Sequence, residues 1–276
     1  LLSFLPQNNT EDAAIANPNN DISACPELRD IVPIDGKKGY DIRDVISKIV
    51  DWGDYLEVKA GWATNIVTAF ARIDGRSVGI VANQPKVMSG CLDIDASDKA
   101  STFIRFCNAF NIPLLTLVDV PGYLPGVAQE HGGIIRHGAK MLFSFAAATV
   151  PKITVIIGKA YGGAYLAMCS KDLGPDRVFA WPTAEIAVMG ASGAVEVLYG
   201  KEVAAIESPE EKARFVAEKE KEYNDKFSNP YNAARYGYID DVIEPRNTRF
   251  RIIRALQSLA TKRLQNPAKK HSNIPL

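Results

Sequence analysis

Neither sign of charge is in excess: 32 Lys and Arg stand against 32 Asp and Glu, a formal net charge of zero over 276 residues. That excludes a broad basic footprint for nucleic acid or an anionic membrane surface, so partners have to be met at local sites. Cysteine is scarce as well. Cys25, Cys91, Cys107 and Cys169 are scattered with no C-x-x-C pair, which argues against a zinc knuckle or a disulfide framework and for a reducing compartment, cytoplasm or mitochondrial matrix. Long apolar runs are missing too. The best candidate for a membrane span, Thr149 to Ile157, is broken by Pro151 and Lys152, so a soluble chain is expected. The first residues, Leu1-Leu2-Ser3-Phe4-Leu5-Pro6, have no initiator Met and no charged region ahead of an apolar one. They read as the middle of a longer protein rather than a secretory signal.

What is present is a 47% hydrophobic composition, enough for one sizeable core. Residues 6 to 26 are rich in Asn, Asp, Pro and Ala without periodicity, and read as a linker or wrapping arm. The folded domain is expected from residue 27 to residue 276. Ile42, Val45, Ile46 and Ile49 recur at helical spacing behind Asp41, predicting a short amphipathic helix. Two β-rich runs, 65–73 and 76–82, flank Asp74-Gly75, a strong hairpin signal. A helix is predicted from Ser97 to Phe110, another over 133–148, and a charged one from the Ser208-Pro209-Glu210-Glu211 capping box to Phe227. The last runs from Thr248 to Leu264. The apolar runs 112–120 and 151–157 are strand-length, each led by Pro and followed by a glycine-containing turn and a helix. Phe179 to Pro182 and Glu185 to Gly190 read as short strands. Repeated strand, glycine turn and helix define an α/β class with a largely parallel or spiral sheet.

The segment Lys159-Ala160-Tyr161-Gly162-Gly163-Ala164-Tyr165 carries the most chemical information. Two glycines after a buried strand let the backbone turn sharply, and the following helix start directs unpaired N–H groups outward. By itself such a turn is more often a packing device than a site. A second irregular loop, Asp119-Val120-Pro121-Gly122-Tyr123-Leu124-Pro125-Gly126, leaves the same carboxyl end of the sheet, where α/β proteins bind ligands. Facing each other, N–H groups near Gly122 or Tyr123 and near Gly163 or Ala164 would form a preorganised donor pair for an oxygen that becomes negative. Other chemistry lacks its signature. There is no G-x-S-x-G elbow for Ser144, Ser170 or Ser192, no metal-ligand spacing around Glu130-His131 or Asp93 and Asp95, and no Lys-Ser/Thr of a P-loop. His131 and His137 read as structural or surface residues, and Cys169 as a core thiol.

Four runs, Val118 to Gly126, Glu130 to Lys140, Ala160 to Tyr165 and Ala180 to Gly190, together with the closing Lys269 to Leu276, resemble the carboxyltransferase subunit of biotin-dependent acyl-CoA carboxylases. Within that family the likeness is greatest to the propionyl-CoA carboxylase β subunit and the methylmalonyl-CoA decarboxylase α subunit. The resemblance covers nearly the whole chain and only the second, C-terminal half of the family's polypeptide. It implies a crotonase-like (ClpP/crotonase) spiral of ββα units with flanking helices, joined by residues 1 to 26 to an N-terminal carboxyltransferase domain that holds the acyl-CoA. This half would take biotin, presented as carboxybiotin on a separate carrier, without a metal. Carried over, the backbone N–H groups of Gly163 and Ala164 are oxyanion donors. Gly122, Tyr123, Leu124, Gly162 and Tyr165 surround biotin.

Leu166 stands where relatives acting on propionyl-CoA often carry Asp, at a place associated with acyl choice; Ser192 and Ala147 replace charged residues. The implied partners are a biotin carboxyl carrier protein, biotin carboxylase or membrane decarboxylase subunits, and further copies in a hexamer. Two readings stay beside it. A crotonase-type hydratase or isomerase would need Glu130 and Glu185 as an acid/base pair, and an assembly domain would need no chemistry at all.

Overall fold

The computed structural model describes every residue except Asn20, Lys37, Lys269 and Leu276, so the first and last positions of the closing motif lie outside the described residues. Ten α-helices and eight strands follow among the described residues. They are α1 (Leu28–Ile31), α2 (Ile42–Ile49), β1 (Tyr55–Val58), β2 (Ile66–Ile73), β3 (Arg76–Asn83), α3 (Ile94–Ala109), β4 (Leu114–Val120), α4 (Val127–Gly132) and α5 (Ile134–Ala147). After these come β5 (Lys152–Tyr161), α6 (Gly162–Ala167), β6 (Arg177–Ala180), β7 (Glu185–Ala187), α7 (Ala191–Ala205), α8 (Pro209–Phe227), α9 (Pro230–Arg235), β8 (Asp241–Val242) and α10 (Thr248–Ser258).

The hairpin forms where the sequence placed it. Asp74 and Gly75 both take positive φ, 53° and 72°, the conformation that lets a two-residue turn follow the twist of β2 and β3. The buried Asp51 carboxylate accepts both turn N–H groups, from Asp74 at 3.0 Å and Gly75 at 2.7 Å. β1, β2 and β3 pair antiparallel; from β3 onward the pairs β3–β4, β4–β5, β5–β6 and β6–β8 are all parallel, and β7 joins the upper end of β5. The result is one mixed sheet with its parallel part at the centre.

Two apolar layers cover the sheet. On one face Phe103, Ile104 and Cys107 of α3 and Met141 and Phe145 of α5 pack with Phe70, Val81 and Val118; on the other, Ile42 to Ile49 of α2 and Ile252 to Leu256 of α10 pack with Ile80, Leu117 and Val155. Burial on both faces is why β4 reads as a continuous apolar run rather than an alternating one. Each fully buried large aliphatic contributes about 1.5–3 kcal/mol relative to exposure. At Gly79 the helix α3 comes so near the sheet that an added Cβ would lie 2.5 Å from Cys107 Sγ.

Several boundaries differ from the sequence reading. Helix α3 starts at Ile94, because Asp93 is the cap: its carboxylate accepts from the Ala96 N–H at 2.8 Å, and Ser97 instead bonds back to the Asp93 carbonyl. Helix α10 ends at Ser258 rather than Leu264. β6 lies two residues earlier than expected, since Trp181 turns into the core and its Nε1 donates to Thr248 Oγ1. Strand β1 and helix α7 were not anticipated. The capping box was: Ser208 accepts from the Glu211 N–H ahead of α8, which buries no residue.

The described residues among 6–26 run along the body without helix or strand, tied to it by hydrogen bonds. Asn111 Nδ2 donates to the carbonyls of Asn9 and Glu11, the Ala16 N–H donates to the Gly75 carbonyl, and Arg249 donates to the carbonyls of Asn19 and Asp21.

Candidate functional site

The parallel strands β4 and β5 end together, but not with equal lengths. Val118 pairs with Ile156 and Val120 with Ala160, so β5 bulges between them, opposite Asp119. The Asp119 carboxylate fills that bulge. Its Oδ1 accepts from the Lys159 N–H at 2.9 Å and its Oδ2 from the Tyr40 hydroxyl at 3.0 Å. Gly158 leaves the room, since a Cβ there would sit 2.5 Å from Oδ2. Burial raises the Asp119 carboxyl above its ordinary value, opposed by these two donors, and burial beside Asp119 also pushes the Tyr40 phenol upward.

Above the bulge the register is restored, and two residues beyond the Val120–Ala160 pair lie Gly122 and Gly162. The two turns named from the sequence therefore leave the sheet side by side. Gly162 adopts φ +54° with the Val188 carbonyl 2.8 Å from where a Cβ would lie, so only glycine fits there. Gly163 opens α6, and nothing comes within 4 Å of a Cβ placed on it. First-turn N–H groups have no acceptor within a helix, and among the described residues no other acceptor takes the Gly163 or Ala164 N–H. The opposite loop is fastened to Leu92, whose N–H donates to the Gly122 carbonyl at 3.1 Å and whose carbonyl accepts from the Leu124 N–H at 2.7 Å.

The predicted site residues thus divide. Gly122 and Tyr123 stand at the mouth of one turn and Gly162, Gly163 and Ala164 at the other, whereas the Leu124 N–H is already engaged. Tyr123 turns its ring onto α5, where a Cβ on Gly138 would meet the hydroxyl at 2.7 Å, and burial pushes the phenol up to about 12. Tyr165 is buried in the core, its phenol raised by burial. Leu166 is 40% exposed on α6, and Val188 and Met189 are exposed just beyond β7. Tyr40, Asp119 and Lys159 were missed as a group. A carboxylate inside an otherwise uncharged, buried strand was the available signal for Asp119; Tyr40, 79 residues away, had none.

The competing candidates do not assemble. His131 and Glu130 are exposed on α4, and Glu185 accepts from the Tyr161 hydroxyl, which braces β7 against β5. His137 Nδ1 bonds Asp98 at 2.9 Å together with Lys140, tying α5 to α3. Among the described residues no serine hydroxyl bonds an imidazole, and no group of three His, Cys, Asp or Glu is placed to hold a metal. Cys169 is wholly buried, as expected of a core thiol. No helix of the described residues is long and apolar enough to cross a membrane.

A parallel-centred sheet whose adjacent strand ends carry two glycine turns defines a crotonase-like α/β fold. Residues 1–274 match the family model "Carboxyl transferase domain", and the chain belongs to that family. It is 68% identical over 275 residues to the methylmalonyl-CoA carboxyltransferase 12S subunit of Propionibacterium freudenreichii subsp. shermanii, covering 100% of this chain and 52% of that protein. It is 57% identical to the methylmalonyl-CoA decarboxylase subunit alpha of Propionigenium modestum, covering 100% and 53%. The crystal structure of transcarboxylase 12S, described as a hexamer with methylmalonyl-coenzyme A bound, superimposes with a TM-score of 0.95 at 68% identity, over 100% of this chain and 52% of that one. The geranyl-CoA carboxylase beta subunit of P. aeruginosa superimposes at 0.78 with 28% identity, over 95% and 50%. The chain spans about half the length of the relatives it matches.

Proposed function

We propose that this chain is the biotin-side half of a carboxyltransferase that moves a carboxyl group between carboxybiotin and a short acyl-CoA, methylmalonyl-CoA and propionyl-CoA being the pair. The observation that carries this reading is the Gly162-Gly163 turn, with its free N–H groups and open approach, beside the Gly122 loop in a chain so similar to the 12S subunit. The residues present fit a ureido group. Gly163 has nothing above it, and the Gly163 and Ala164 N–H groups offer two donors to one oxygen. Bound biotin would supply a nitrogen that carries and releases the carboxyl group.

The Gly163 and Ala164 N–H groups would face a ureido oxygen bound at this turn and favour negative charge there. Fixed backbone donors stabilise the charge more than the neutral ground state, by about 3 kcal/mol for each well-placed donor. The bulge anchored by Asp119 sets the height at which the turn emerges, and Gly162 sets its direction. Leu166, an apolar residue beside the turn, suits a small unbranched or methyl-branched acyl group. No carboxylate or imidazole of this half is required as a base, in keeping with the engaged positions of Glu185 and His137.

The acyl-CoA would be held by the part of the relatives' length that this chain does not span. The partners are then a biotin carboxyl carrier protein and further copies of the chain, in the cytoplasm or the mitochondrial matrix. The test is carboxyl transfer from methylmalonyl-CoA to a soluble biotin derivative, catalysed by the full-length protein. Transfer that collapses in Gly163→Pro is expected; no transfer from methylmalonyl-CoA, malonyl-CoA or glutaconyl-CoA overturns the reading.

A further inference from the structure

At the opposite, amino-terminal end of the parallel strands lies a second concavity of about 400 Å³, bounded by the start of β3, the residues leading into β4 and β5, helix α10 and the arm. Its volume is that of a small-ligand site. One cation of its wall lacks the partners that such groups normally have. Arg76 makes no ion pair or side-chain hydrogen bond among the described residues, and its buried Nε has no acceptor. A charged group left without a partner is costly, and a ligand that engages it recovers that cost.

The remaining charges around the cavity favour an anion. Arg263 donates only to the Lys262 carbonyl, and Lys262 is matched by Asp176, while the single acidic residue of the wall is Asp12. Leu256 and Leu259 supply an apolar side. The arm forms the outer wall and is pinned on either side of it, by Asn111 at Asn9 and Glu11 and by Gly75 at Ala16.

We propose that this cavity binds a small organic anion, a carboxylate or phosphate monoester with an apolar body, whose charged end is held by Arg76 and Arg263. An Arg fork matches the two oxygens of such a group. Because the arm is one wall, occupancy fastens the arm to the sheet, and the site lies away from the glycine turns at the other end of the same strands.

Calorimetric titration of this chain at low salt with hexanoate, inorganic phosphate and neutral hexanamide tests the proposal. Saturable binding of hexanoate or phosphate is expected, hexanoate alone indicating a carboxylate ligand and phosphate alone a phosphate one. Hexanamide should bind at least roughly tenfold more weakly, as should hexanoate or phosphate to Arg76→Gln. Arg263→Gln, at an exposed position, should weaken binding severalfold and guards against a folding defect in the first variant. The same anion should slow cleavage after Glu11 by a Glu-specific protease, and lose that effect in Arg76→Gln. No saturable binding of either anion, equal binding of hexanamide, or unchanged binding in both variants overturns the proposal. Heat and proteolysis are read rather than carboxyl transfer, so the outcome is independent of the proposed activity.

Discussion

Asp119 on β4 accepts a hydrogen bond from the main-chain N–H of Lys159 on β5, 2.9 Å away, and so closes the bulge that precedes the Gly162-Gly163 turn. A buried carboxylate therefore grips β5 four residues before Gly163 and holds the strand beneath the backbone donors. Its folded-state pKa is raised, chiefly by burial.

That direction fixes the pH dependence. Below the ordinary carboxylate pKa of about 4 the group is protonated in both states and costs nothing. As pH rises through the raised folded-state value, the native state takes up the ionised form at a cost the unfolded chain does not bear, and stability is lost. Urea unfolding from acid to neutral pH should show the wild type losing stability relative to Asp119→Asn over that window. A difference that does not change with pH contradicts this assignment. Asp119→Ala, which strands the Tyr40 hydroxyl and the Lys159 N–H, should cost about 2–4 kcal/mol in acid, and the cost should shrink over the same window as the wild type loses stability.

Neighbouring glycines should respond in opposite ways to the same added methyl group. Gly162→Ala forces a positive φ and a contact with the Val188 carbonyl, and should lower stability by about 1–3 kcal/mol. Gly163→Ala meets no atom and improves helix propensity, so its thermal stability should hold or rise by up to about 1 kcal/mol. Carboxyl transfer in the full-length protein should nevertheless fall roughly tenfold or more, because the methyl group occupies the approach to the donors. Full activity in Gly163→Ala would place the reacting oxygen elsewhere.

The ion pair of Asp51 and Arg249 is almost wholly buried, at 2.6 Å, and each partner has other duties. Asp51 holds the hairpin turn, and Arg249 donates to the Ile49 carbonyl and to the arm. Removing one partner leaves an uncompensated charge, so Asp51→Ala should cost about 3–5 kcal/mol in denaturant unfolding. A loss below about 1 kcal/mol would mean that the pair is replaceable by water.

Thiol labelling should split the cysteines into two pairs. Cys25 and Cys91 are partly exposed, whereas Cys107 and Cys169 are buried, and burial pushes the Cys169 thiol up to about 12. Ellman's reagent should modify two thiols in the native chain and four after denaturation. Early modification of Cys169 would show that α6 opens in the native state.

The sequence was most legible where a local rule acts alone. Asp74-Gly75 needs only its own backbone to specify a hairpin, and Ser208-Pro209-Glu210-Glu211 only its own side chains to start a helix. It was least legible where several residues compete for one role. Asp93, Asp95, Ser97 and Asp98 all suit a helix cap, and the contact of Leu92 with the loop at Tyr123, far along the chain, decides in favour of Asp93. The turns at Gly122 and Gly162 were visible as glycines. Their alignment was not, since it depends on the pairing of Val120 with Ala160 and on a carboxylate whose partners are Tyr40 and Lys159.

The extra length in β5 amounts to two residues, since four steps from Ile156 to Ala160 span two from Val118 to Val120. Two is the repeat of side-chain alternation in a strand, so the bulge lifts the turn without rotating it. Deleting one residue of the three from Ile157 to Lys159 would turn Ala160 and Tyr161 to the opposite face and swing the glycine turn away from its neighbour. Deleting two would keep every side chain on its own face and lower the turn toward the sheet. Natural length variation at this point should therefore come in pairs.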